Sequence, residues 1–155
     1  MCSSDLYGSG HFIQGLNVAG NTFKSINGNI ERIESVDTSF ANLDFGRMRN
    51  VLFEGNTFNG IDQLTINPVT LEFVQNSDAV NWTLDSSGYL PFGGGARNVT
   101  SVVTEDAITN GASADVFGMP YATTNYGANN RLIQLTWPEA CKGKVIMTSR
   151  MDNPF

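Results

Sequence analysis

The chain has 155 residues and a formal charge of −6, with 9 Lys and Arg residues against 15 Asp and Glu residues. This length suits one domain or two small ones, and the 41% of hydrophobic residues is enough to form a core. The acidic balance argues against nucleic-acid binding, which needs a basic face for phosphates, and no apolar run approaches the roughly 18 residues of a membrane span.

The start of the chain is interpreted separately from the rest. Its first residues read Met-Cys-Ser-Ser-Asp-Leu, and residues 2–6 match the translation of a common sequencing-adapter end. The segment has neither the basic nor the apolar region of a signal peptide. We therefore predict that residues 1–10 are a contig-edge artefact and that the chain is the C-terminal piece of a longer protein.

The clearest internal signal is a repeat. Leu16–Ile26 aligns with Val51–Ile61, and both segments contain the tetrapeptide Gly-Asn-Thr-Phe. Each segment has the alternation of a short strand followed by a Gly-Asn corner, because both residues tolerate positive φ. The frequent Gly, Asn and Thr residues disfavour helix. We predict that the two segments stack as parallel units, with Phe23 over Phe58 and the corner asparagine amides bonded to each other.

The repeat has a recognisable texture. Asn50–Phe58 reads Asn-Val-x-x-x-Gly-Asn-x-Phe, and Asn17–Phe23 has two residues fewer before the glycine. This texture resembles the right-handed parallel β-helix, the pectate-lyase-like superfamily, over roughly residues 12–66. The resemblance implies that residues 11–67 are the last coils of such a helix. Coils there are shorter than the repeat spacing here, so we expect an inserted loop around Ser35–Asp44 or an irregular extra half-coil.

The pattern changes at Pro68, which cannot donate to a strand ladder. Val69–Phe73 and Val80–Leu84 alternate around a turn cluster and predict an antiparallel hairpin. Further strands are predicted at Val99–Val103, Val116–Tyr121, Leu132–Trp137 and Val145–Thr148, with a loop at Pro138–Lys144. Strands at this spacing indicate a small antiparallel, β-sandwich-like domain over residues 68–155, capping the helix. The predicted fold class is all-β.

Two features could carry chemistry but have simpler interpretations. Cys141 lies near two lysines, which favour a reactive thiolate. The single histidine, His11, is far away in sequence, so we interpret Cys141 as a structural cysteine beside a turn. Gly93–Gly95 lacks the spaced pattern and lysine of a phosphate loop and is interpreted as a flexible loop.

Acidic residues cluster between the two repeats. Glu31, Glu34, Asp37 and Asp44 are followed by Arg47. If this segment is an inserted loop, it could present acids beside a groove and contact a sugar or calcium. The alternative is a solvated loop, where acidic residues normally lie. We take Asp37, Asp44 and Arg47 as candidate carbohydrate contacts.

Aromatic residues supply further candidates. Tyr89, Tyr121 and Tyr126 lie in segments rich in Gly, Pro and Asn, so we predict that they are exposed in loops. Such rings can stack on the CH face of a sugar. Trp82 and Trp137 alternate with apolar neighbours in predicted strands and are assigned to the core.

The resemblance implies two alternative functions. The first is the C-terminal part of a carbohydrate-recognising spike or adhesin of the tailspike type, extracellular or virion-associated and homotrimeric when full-length. Its partner would be a polysaccharide or cell-surface glycan. The second is the non-catalytic C-terminal part of a secreted polysaccharide lyase or glycoside hydrolase whose active site lies upstream, since no catalytic carboxylate pair is visible. No cofactor is expected, and no motif supports the calcium that such lyases use.

Overall fold

The computed structural model describes residues 13–39 and 42–154, where nearly all regular structure is β. The strands are β1 (Asn17–Ala19), β2 (Thr22–Lys24), β3 (Leu52–Glu54), β4 (Thr57–Asn59), β5 (Val69–Asp85), β6 (Asn98–Thr104), β7 (Thr109–Asn110), β8 (Tyr121–Tyr126) and β9 (Leu132–Arg150). Two short 3-10 helices, Phe45–Arg47 and Pro91–Gly93, are the helical elements of these ranges. The predicted all-β class is confirmed, and the predicted artefact at residues 1–10 lies outside the described residues.

Two pairs of short strands hold the repeat together. β1 runs parallel to β3, and β2 runs parallel to β4, so that Val18 lies opposite Phe53 and Phe23 opposite Phe58. The rings of Phe23 and Phe58 stack with their centroids 5.8 Å apart and an angle of 17° between their planes. The predicted parallel stacking of the two segments is confirmed.

The Gly-Asn corners of the two segments are joined by amide side chains. Gly20 and Gly55 have φ angles of +67° and +63°, which a residue with a Cβ adopts only at a cost. Asn56 Oδ1 accepts hydrogen bonds from the backbone N–H of Asn21 at 2.9 Å and from its side-chain amide at 3.2 Å. Asn56 Nδ2 donates to the carbonyl of Val18 at 2.8 Å. One side chain therefore links successive segments where the chain turns.

Replacing Asn56 tests the contribution of this corner. Asn56→Ala is expected to lower the free energy of unfolding by about 1–2 kcal/mol, because the amide's hydrogen bonds to the neighbouring segment are lost. Urea denaturation measures the change. Asn59→Ala is the control, since the Asn59 side chain is exposed and makes no hydrogen bond to any described residue, and its effect should stay within about 0.5 kcal/mol. Equal losses in the two variants would contradict this role for Asn56.

The remaining strands form one antiparallel sheet around β9. β5 pairs with one edge of β9, while β6, β7 and β8 pair with successive parts of its other edge. Alternation along β9 places Val145 and Met147 on the inner face, where both are fully buried. Trp82 and Trp137 are each 2% exposed, and their ring centroids lie 4.9 Å apart. Their assignment to the core is confirmed.

The predicted hairpin over 69–84 and the predicted loop at 138–144 are both wrong. β5 and β9 each run without reversal through these positions. The turn-forming residues 76–78 lie in a bulge instead, where the pairing with β9 shifts register between Gln75 and Ala79. Because β5 pairs with β9 on both sides of residues 76–78, these residues form a bulge in the strand and not a turn between two strands.

A buried polar network connects the parallel segments to the end of β9. The Asp152 side chain is 3% exposed and accepts hydrogen bonds from Val51 N–H at 3.1 Å and from the Asn67 amide at 3.0 Å. The Arg150 guanidinium adds an ion pair to Asp152 at 3.0 Å. Asn67 also donates to the Val51 carbonyl at 2.7 Å and accepts from Met151 N–H at 3.0 Å. These mutually satisfied groups fix the junction between the two parts.

Two opposing effects act on the Asp152 carboxyl group. Burial alone would raise its pKa, but the hydrogen bonds from Arg150, Asn67 and the Val51 N–H outweigh burial and hold the pKa below its ordinary value of 3.8. A lowered folded-state pKa means that ionised Asp152 stabilises the fold fully at pH values above the unfolded-state pKa. This contribution is lost as the pH falls through that value towards the folded-state pKa.

Asp152→Asn is expected to lower the free energy of unfolding at neutral pH by about 2–3 kcal/mol, because charge-assisted hydrogen bonds are lost. The variant should also lose part of the decline in stability that is expected of the natural chain between about pH 5 and about pH 3. Chemical denaturation at neutral pH measures the first effect, and denaturation at about pH 5 and about pH 3 measures the second. Asp106→Asn, which removes an exposed carboxylate without a hydrogen bond to any described residue, should change stability by less than about 0.5 kcal/mol. An unaltered pH dependence in Asp152→Asn would refute the expectation.

Candidate functional site

The structure spreads the six predicted carbohydrate contacts over several surfaces. Asp44 lines one cleft and Tyr89 lines a separate groove. The four that line neither are Asp37, Arg47, Tyr121 and Tyr126. The last two begin and end β8, so the prediction that they lie in loops is wrong, although both are exposed, at 72% and 39%.

The groove at Tyr89 lies beside the turn that follows β5. Tyr89 N–H donates to the Ser86 carbonyl at 3.1 Å, and Ile66 N–H donates to the Tyr89 carbonyl at 2.9 Å. These bonds fix the backbone of Tyr89, whose side chain stays 38% exposed. The groove has a volume of about 500 Å³ and is lined by Asp62, Gln63, Leu64, Gly88 and Tyr89.

This groove presents an aromatic ring, a carboxylate and an amide. Asp62 Oδ1 accepts from the Asn29 amide at 2.7 Å, and Gln63 Oε1 accepts from the Arg32 guanidinium at 3.0 Å. Within the described residues, the Gln63 NH2 group and Asp62 Oδ2 make no hydrogen bond. They therefore leave one donor group and one acceptor beside the ring of Tyr89.

A largely buried ion pair braces the segments around the groove. Arg32 lies 2.7 Å from Glu34 Oε1, and the two side chains are 14% and 7% exposed. Arg32 also donates to the Leu90 carbonyl at 2.8 Å. Glu34 accepts from Phe92 N–H at 3.2 Å and from the Thr65 hydroxyl. Glu34 is thus a structural residue, neither a sugar contact nor part of a solvated loop, because its carboxylate is satisfied from several segments.

A second concavity, which we call the asparagine–arginine cleft, lies where three loops meet. Its volume is about 460 Å³, and its lining residues are Asn42, Leu43, Asp44, Phe45, Gly46, Gly93, Gly95, Arg97, Asn125, Asn129, Asn130 and Arg131. Asp44 Oδ1 accepts from Gly46 N–H at 3.0 Å and so caps the first 3-10 helix. The Asn153 amide donates to the carbonyls of Phe45 and Gly46, each at 3.1 Å, and holds the same turn.

The glycine run 93–95 packs tightly against the loops of this cleft. A Cβ at Gly95 would lie 2.4 Å from the Cα of Arg131, and one at Gly94 would lie 2.8 Å from the ring of Phe45. Because side-chain atoms do not approach this closely, only glycine allows the contact. The interpretation of this run as a flexible loop is therefore wrong.

Cys141 is fully buried in β9. Burial raises the pKa of its thiol, and the negative charges of Glu139 and Asp78 raise it further. The thiolate is therefore scarce at neutral pH, which argues against a reactive cysteine. The nearby lysines do not reverse this, and Lys144 instead forms ion pairs with Glu72 and Glu105.

Sequence reasoning did not select several of the residues that line the two concavities. Asp62 and Gln63 follow the second repeat, while Arg97 and Arg131 are single arginines in loops far apart in the chain. Only the folding of the chain brings such residues together, so their spacing in sequence carries no signal.

Across residues 13–39 and 42–154, no group of three or more metal-ligating side chains gathers. Helices of sufficient length and apolarity to cross a membrane are absent from the same ranges. Comparisons with protein-family models, with curated proteins and with solved structures found no match to this chain. A function must therefore be inferred from the residues and their geometry.

Proposed function

We propose that this chain is the C-terminal part of a carbohydrate-recognising spike or adhesin of the tailspike type, built on a right-handed parallel β-helix. The observation that carries the proposal is the parallel register that stacks Phe23 on Phe58. A short unit of this kind buries its apolar side only against neighbouring copies of itself. An elongated stem built from such units is the architecture on which the tailspike type is based.

Further parallel contacts on either side of this pair support a helical winding. Gln14 bridges Arg49 before β1 and β3, and Ile30 bridges Ile61 after β2 and β4. The chain therefore meets an earlier part of itself, in the same direction, on successive sides of one circuit. A coil stacked on a coil is expected to produce this series of contacts.

In this proposal the antiparallel sheet closes the end of the stem. A terminal coil would otherwise expose unpaired backbone groups. Phe53 and Asn67 exchange two backbone hydrogen bonds, each at 3.0 Å. Asp152 accepts from Val51 N–H in the same region. Residues that follow the repeat thus satisfy backbone groups of its second segment, which is the role of a cap.

We further propose that the full-length protein is a homotrimer outside the cell or on a virion. In the described part of the chain, the 17-residue strand β5 has β9 as its sole strand partner, which leaves a long open edge. Phe117 and Met119 are 92% and 68% exposed. Open strand edges and exposed apolar side chains are commonly covered by another chain.

Assembly can be measured on the chain itself. Size-exclusion chromatography with light scattering should give three times the 16.8 kDa mass of one chain. Phe117→Ser should shift this species towards the monomer, because it removes an exposed apolar contact. Lys24→Ser, which changes an exposed polar residue of β2, should leave the trimer intact. A monomer at all concentrations would contradict assembly through this part of the protein, and equal dissociation in both variants would contradict the contact at Phe117.

The groove at Tyr89 is the proposed glycan contact. Its ring is exposed on a backbone held by hydrogen bonds, and Asp62 and Gln63 place an acceptor and a donor beside it. The CH face of a sugar packs on such a ring, while its hydroxyl groups donate and accept hydrogen bonds. The other candidate contacts, Asp37, Asp44, Arg47, Tyr121 and Tyr126, lie outside the groove and form no part of this proposed contact.

A glycan array of bacterial-surface and plant polysaccharides, followed by calorimetry on those that bind, tests this contact. Tyr89→Ala is expected to raise the Kd about ten-fold, because the stacking surface is lost. Tyr89→Phe should stay within about two-fold of the natural chain, since the ring face remains.

Tyr126→Ala is the matched control for this experiment, because Tyr126 is 39% exposed, against 38% for Tyr89, and lies outside the groove. It should bind like the natural chain. Absence of binding to every polysaccharide, or equal weakening by the two alanine substitutions, would overturn the assignment of the groove.

The alternative function, the C-terminal part of a secreted polysaccharide lyase or glycoside hydrolase, makes a different prediction for the full-length protein. A lyase would release unsaturated sugars that absorb ultraviolet light. Asp62 is the one carboxylate that lines the groove, whereas glycoside hydrolysis generally uses a pair. The groove itself thus suits binding better than hydrolysis, and we prefer the spike because a separate C-terminal β-domain is what a trimeric spike needs.

A further inference from the structure

Two arginines from different loops line the asparagine–arginine cleft, Arg97 beside the glycine run and Arg131 before β9. Arg97 is anchored by two hydrogen bonds to the end of the chain. Its Nε donates to Asn153 Oδ1 at 3.3 Å, and its backbone N–H donates to the Arg150 carbonyl at 2.8 Å. Its two terminal guanidinium nitrogens make no hydrogen bond to any described residue and stay available in the cleft.

Arg131 reaches the same cleft from a backbone that is fixed by packing. Its Cα lies so close to Gly95 that a Cβ there would be 2.4 Å away. One terminal nitrogen of its guanidinium lies 3.9 Å from the position of a Cβ on Gly93. The charged group therefore lies over the glycine run, and it has neither a hydrogen bond nor an ion pair with the residues that the structure describes.

The charge of these two groups is not balanced within the described ranges. The cleft is lined by one carboxylate, that of Asp44, which accepts from Gly46 N–H and is not within ion-pair distance of either arginine. None of the ion pairs between described residues includes Arg97 or Arg131, although the whole chain carries a charge of −6. Two cations in one concavity repel each other. A bound anion would be attracted to both guanidinium groups, and this attraction would offset their repulsion.

The remaining polar lining is neutral. It consists of the side-chain amides of Asn42, Asn125, Asn129 and Asn130. Each amide can donate to and accept from a hydroxyl group. A cleft with two guanidinium groups and several amides thus matches a ligand that carries both a negative oxyanion and hydroxyl groups.

We propose that the asparagine–arginine cleft binds the oxyanion group of a sugar, with Arg97 and Arg131 on the anion and the asparagine amides on the hydroxyls. The shared chemistry is a carboxylate or phosphate on a hydroxylated ring. The site is separate from the groove at Tyr89 and does not depend on the glycan contact proposed there.

NMR titration of the ¹⁵N-labelled chain with three probes tests this proposal. Glucuronate and glucose 6-phosphate carry the two kinds of oxyanion, and glucose is the matched neutral sugar. At least one of the two anionic sugars should shift the backbone amide signals of Gly93–Gly95 and the side-chain amide signals of the cleft asparagines, with a Kd at least about ten-fold below that of glucose. Which anion binds better identifies the natural group.

Arg131→Gln is the main variant, because Arg131 is exposed and its loss leaves no buried partner unsatisfied. It should raise the Kd of the anionic sugar about ten-fold or more. Arg97→Lys keeps the charge but loses the forked geometry and should weaken binding as well. Lys24→Gln changes the net charge by the same amount outside the cleft and should leave the Kd unchanged, as should Tyr89→Ala.

Several results would overturn the proposal. One is equal affinity for glucose and both anionic sugars, and another is a set of shifts confined to residues outside the cleft. A third is equal weakening by Lys24→Gln and Arg131→Gln, which would indicate general attraction of the anion to positive charge. Failure of Tyr89→Ala to affect polysaccharide binding would count only against the groove, so the two proposals fail separately.

Discussion

The buried carboxylate of Asp152 is the interaction on which the rest of the described structure depends. A buried charge is costly unless it is fully hydrogen-bonded. Here Val51, Asn67 and Arg150 supply the donors, so one side chain binds the second repeat, the residue before Pro68 and the end of the longest strand. The next residue, Asn153, then holds the turn at one wall of the asparagine–arginine cleft, which extends the same junction to a concave surface.

The two concavities offer different chemistry because different kinds of residue remain unsatisfied in them. Near Tyr89, the charges of Arg32 and Glu34 neutralise each other in an ion pair. The groups that remain available there are the ring of Tyr89, the carboxylate of Asp62 and the amide of Gln63. In the asparagine–arginine cleft the arginines keep their charge without a carboxylate partner among the described residues. The first arrangement suits uncharged pyranose faces, and the second suits an oxyanion.

Part of the candidate site could be predicted from residue type alone. Tyr89 was selected because a tyrosine among glycine and proline residues is seldom buried, and the structure leaves it exposed. The same reasoning predicts that Tyr121 and Tyr126 are exposed, which the structure confirms, but neither lines the groove or the cleft. The Arg97–Arg131 pair could not be predicted, because it depends on a contact at Gly95 between loops that no local pattern records.

The sequence by itself determined the repeat. Gly-Asn supplies positive φ and a side-chain amide at each corner, the following Phe supplies a ring that stacks on its copy, and these preferences act within a few residues. Tertiary structure alone decided that 76–78 and 138–144 continue strands instead of turning. Each of these segments lies opposite a long partner strand, and the many backbone hydrogen bonds made along that partner outweigh the turn preference of a few residues.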